Sequence, residues 1–92
     1  MKTYTTKDEL IKKMVDELED ELEGIIEYEN IYNSFKELGL EREADEIEQI
    51  ARDEYDHACA IWDILDHHGC DISHHTKIQD DWAKVKEIFA IE

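Results

Sequence analysis

The chain has 92 residues, three glycines and no proline, and its 26 acidic against 10 basic side chains give a net charge of −16. That length allows one small domain, marginally stable by itself, and the charge repels phosphate backbones, so nucleic acid is not an expected partner. No apolar run approaches the roughly 20 residues needed to span a bilayer. The opening MKTYTTKDEL lacks the apolar core of a signal peptide. The expectation is a cytoplasmic protein with no membrane contact, a single all-α domain over residues 1–92.

The first helix is predicted over about 7–38. Thr6 and Glu9 form a T-x-x-E capping box at its start, and Gly39 supplies the left-handed residue that stops it. A second helix is predicted over about 41–68 and ends at Gly69 in the same way. A third, shorter one covers about 76–90, with Trp82, Val85 and Phe89 on its apolar side. One or two residues between the first two helices force an antiparallel hairpin, with arms of about 48 Å and 42 Å at 1.5 Å per residue. Cys59 and Cys70 are separated by predicted helix, so both are read as reduced thiols. Trp62 and Trp82 are read as packing between the second and third helices.

The apolar seam of the first helix is Ile11, Met14, Leu18, Ile25, Tyr28, Tyr32 and Phe35. One place in that seam, between Leu18 and Ile25, falls to Glu21, where an unpaired charge is costly. The second helix repeats the anomaly. Its seam is Leu40, Ala44, Ile47, Ala51, Glu54, Ala58, Ile61 and Leu65, and His57 lies beside Ala58. Glu54 and His57 form an E-x-x-H, one turn apart on one face. Glu21 lies 18 residues before Gly39 and His57 lies 18 after it. Antiparallel helices therefore bring all three polar groups to one height.

One hairpin supplies two carboxylates and one imidazole. Two hairpins about a twofold axis supply four carboxylates and two imidazoles, enough for a pair of metal ions in the centre of a four-helix bundle. Bridging carboxylates with one imidazole per metal suit a redox pair such as iron or manganese. The seam would also leave a long apolar stripe exposed on a single chain, so a homo-oligomer, a dimer or an assembly of dimers, is expected.

The stretch from Glu21 to His57 resembles one half of a rubrerythrin or ferritin bundle, in the ferritin-like di-iron carboxylate superfamily. The residues that carry the resemblance are E-x6-Y (Glu21 to Tyr28), the terminating Gly39, the Ile50-Ala51-Arg52-Asp53-Glu54 segment and His57. The resemblance implies Glu21, Glu54 and His57 as metal ligands and Tyr28 as a hydrogen-bond donor to a ligating carboxylate. It also implies a di-iron cofactor, with Mn or Zn as substitutes, and oxidation of Fe(II). A chain of this size is similar to the encapsulated ferritins, whose metal site forms between two subunits, which raises an encapsulin shell as a partner. The end of this chain, Glu87-Ile88-Phe89-Ala90-Ile91-Glu92, differs from the Gly/Leu-rich tail of such cargo. The alternative is a non-catalytic helical dimer that binds metal or serves structure alone.

A second polar cluster, His67, His68, Cys70, His74 and His75, has ligand types suited to zinc or copper. Its spacing matches no standard zinc pattern, and an exposed polar loop is the expectation.

Overall fold

Thr6 Oγ1 accepts the Glu9 amide at 3.1 Å, and the first helix, α1 (Lys7–Glu37), begins there with Asp8 and Glu9 set against its positive end. The computed structural model describes residues 3, 4 and 6–90. The N-terminal residues 1, 2 and 5, and the last two residues of the end read for a shell-targeting tail, lie outside them. Two further helices follow, α2 (Glu41–His67) and α3 (Thr76–Ile88). Among the described residues no helix is long and apolar enough to cross a membrane.

Both glycine stops close as Schellman motifs. At φ 75°, Gly39 donates to Lys36 O at 3.0 Å and Leu40 donates to Phe35 O at 2.9 Å. Gly69, at φ 69°, repeats this, donating to Asp66 O at 3.0 Å while Cys70 donates to Leu65 O at 2.9 Å. The turn between α1 and α2 is thus too short for anything but an antiparallel return. Ala44, Ala51 and Ala58, seven residues apart and all buried, let the α2 backbone lie close along α1.

The core draws Leu18, Leu22 and Ile25 from α1, Ala58 and Leu65 from α2, Ile72 from the connecting loop, and Ile78 and Val85 from α3. Leu22, with Val15 and Ile26 beside it, was absent from the predicted seam of α1. The correction follows from where α3 packs. Lys77 Nζ lies 2.6 Å from Glu23 Oε1 and 2.8 Å from the buried Asp81 Oδ2, and His75 Nε2 lies 3.8 Å from Glu19 Oε1. α3 therefore covers the α1 flank that carries Glu19 and Glu23, and the apolar stripe widens to meet it. Leu40, placed in the α2 seam, is instead exposed at the turn.

α3 stays farther from α2, and aromatic rings bridge the gap. Trp82 lies 4.9 Å from Trp62 and stacks on Tyr55 at 5.8 Å, while Phe89 meets the edge of Tyr55 at 5.3 Å. The helix ends at Ile88 rather than at 90, because Ala90 turns into the left-handed region at φ 54°. Both cysteines are free and half-buried. Ile78, a fully buried α3 residue of the core, tests the packing of α3: Ile78→Ala is expected to cost about 3 kcal/mol and lower the melting temperature by about 12 °C. Circular dichroism melts read the shift, and a change under about 2 °C would show that α3 is not part of the core.

Candidate metal centre

Glu21 and Glu23 are neighbours in sequence but point about 160° apart at 100° per residue. Since Glu19 and Glu23 meet α3, Glu21 lies on the flank of α1 that α3 leaves uncovered. On α2 the same logic holds. Tyr55 and Trp62 face α3, and His57, two residues after Tyr55, turns to the opposite side. The uncovered side of the hairpin therefore carries the polar residues that interrupt both seams.

There the structure brings Glu21, Glu54 and His57 together, with one ligand-type atom from each within 4.8 Å of the others. His57 Nδ1 lies 3.6 Å from Glu54 Oε1 and 3.9 Å from Glu21 Oε2. These separations exceed a hydrogen bond. Two donors each about 2.1 Å from one metal sit roughly 3.0–3.6 Å apart, so the Glu54–His57 pair is at the upper end of that range and Glu21 would have to move inward by a few tenths of an ångström to share an ion.

Burial is graded across the group. The Glu21 side chain is 20% exposed, Glu54 28% and His57 61%. Glu21 Oε2 is buried and has no hydrogen-bond partner among the described residues. Burial, then a hydrogen bond with Glu54 and the charge of that carboxylate, push the Glu21 carboxyl up to about 7, against a smaller opposing pull from His57. Near neutrality the pair must share a proton or a cation. Two carboxylates, one of which carries the buried unpartnered oxygen, and an imidazole are donor types that could hold a divalent metal ion. No family model, curated protein or solved structure matches the chain.

Tyr28 stands two turns along α1 from Glu21, on nearly the same stripe. It lines a cavity of about 230 Å³ with Tyr32, Ala51, Arg52 and Phe89, and in the single chain it makes no hydrogen bond to the three ligand-type residues. The histidine and cysteine cluster does not converge either. Among the described residues Glu21, Glu54 and His57 are the group placed to hold an ion. His75 caps α3 instead, its Nδ1 accepting the Ile78 amide at 3.3 Å, while His67 and His68 meet edge to face at 5.4 Å.

Sequence reading missed Gly24, whose added Cβ would lie 3.9 Å from Glu54 Oε2. A glycine one turn past Glu21 in an otherwise proline- and glycine-free helix was the available signal.

Proposed function

We propose that this chain is half of a ferritin-like di-metal protein, completed when a second copy docks on the uncovered face and adds its own Glu21, Glu54 and His57. The carrying observation is the buried, unpartnered Glu21 Oε2 within a two-carboxylate, one-imidazole group that is too small a donor set for iron. The surroundings support the same occupant. Leu10, Ile50 and Ile64 are between 40% and 46% exposed. Leu10 stands 11 residues from Glu21, and Ile50 and Ile64 stand seven on either side of His57, so each lies within about 20° of the ligand-bearing stripe. An apolar border around a half-built polar centre suits a self-complementary contact.

Bound iron is here the substrate, Fe(II) giving one electron to dioxygen or peroxide, which makes a ferroxidase-type activity the proposed chemistry. The chain's own residues bind and neutralise. Glu21, the most enclosed, gives up its shared proton when a cation arrives. Glu54, with one oxygen toward His57 and the other toward α1, would be a second carboxylate ligand to the ion. His57, largely exposed in one chain, is the group a second copy would cover. Tyr28 carries no step here.

The ligand assignment is tested by alanine variants read by calorimetric titration with Mn²⁺. Glu21→Ala, Glu54→Ala and His57→Ala are expected to weaken binding about 100-fold or more. Glu19→Ala and Glu23→Ala, which remove contacts to α3 instead, leave it within about threefold. Equal losses at all five positions would mean diffuse anionic attraction and no site.

A further inference from the structure

We infer that Gly24 is a positioning residue of this centre, its missing Cβ leaving the clearance on α1 that the Glu54 carboxylate uses to shift between binding modes. The inference rests on the metal-binding reading above. Gly24 lies in the middle of the 31-residue α1, where glycine is less favourable than alanine. Its backbone does not demand glycine, since Gly39 and Gly69 are the glycines with positive φ and Gly24 is not. Packing does not demand it either. A Cβ at position 24 would meet a single atom within 4 Å, Glu54 Oε2 at 3.9 Å.

The fold would thus accept alanine, and the one group that senses the difference is a proposed ligand. The Glu54 carboxylate spans the site, with Oε1 toward the His57 imidazole and Oε2 toward the notch at Gly24. A carboxylate that passes from one metal to a bridge between two must swing about its own Cγ–Cδ axis and translate sideways. A methyl group in van der Waals contact with Oε2 would restrict that motion and could not itself coordinate. Gly24 therefore leaves Glu54 Oε2 free to move toward α1, where a Cβ would stop it at van der Waals contact.

The test compares Gly24→Ala with the parent, using Co²⁺ as the probe, and reads affinity, the visible ligand-field spectrum, metal-free melting temperature and mass in solution. The variant is expected to melt about 4 °C higher without metal, from helix propensity alone. It should keep the parent's mass, bind Co²⁺ about tenfold more weakly and show an altered spectrum. Unchanged affinity and spectrum would overturn the inference. So would loss of the dimer, which would make the notch a contact for the second copy rather than clearance for Glu54. If the parent itself binds no Co²⁺, the metal-binding reading fails first and this one falls with it.

Discussion

Without metal, Glu21→Gln is expected to melt about 10 °C above the parent near pH 8 and to match it near pH 4. The folded chain raises the Glu21 carboxyl from 4.5 to about 7, through burial first and Glu54 second. A group raised in this way binds more protons folded than unfolded. Its contribution is fully present below the unfolded value and is lost as pH rises through the folded one. The window is therefore about pH 4.5 to 7, and across it the ionised Glu21 destabilises the fold by about 2–3 kcal/mol. Glutamine keeps the shape but removes the charge. Melts with chelator at the two pH values read the difference. A variant that melts lower than the parent near pH 8 would show that Glu21 is not held against a second carboxylate.

Metal is expected to reverse that penalty. At about 100 times its dissociation constant, Mn²⁺ or Fe²⁺ should stabilise the parent by about 3 kcal/mol, or about 10 °C in melting temperature, near pH 8. Near pH 5 the gain should shrink, because protons compete for the same oxygens. Glu21→Gln, already relieved of its charge, should gain almost nothing. The double contrast, stabler without metal and unresponsive to it, marks a residue retained for binding at the expense of stability. Equal metal-induced shifts in parent and variant would place the ion elsewhere on this acidic surface.

Much of this is legible in the sequence alone. Thr6 fixes where α1 starts, and Gly39 and Gly69 where α1 and α2 stop, because capping and left-handed φ are local properties of one or two residues. The equal spacing of Glu21 and His57 about Gly39 gave the height of the cluster, since rise per residue is constant and the turn admits one return path. The side on which α3 packs was not legible. Leu22 and Ile26 have the period of a helix face, yet nothing local says that a third helix will cover them. His75, expected on an exposed polar loop, is half-buried instead, because the open amides at the start of α3 give its ring a cap to make. The setting of Tyr28 depends on how α1 winds past the alanines of α2, which the seven-residue period does not resolve.

The measurement that bears most directly on the two-copy centre is native mass spectrometry of the metal-reconstituted protein, with metal content determined on the same sample. The expected species is a dimer, or a multiple of it, that holds two ions per pair of chains and loses both ions and association together in Glu54→Ala. A monomer that holds one ion, or a dimer that holds none, would contradict it.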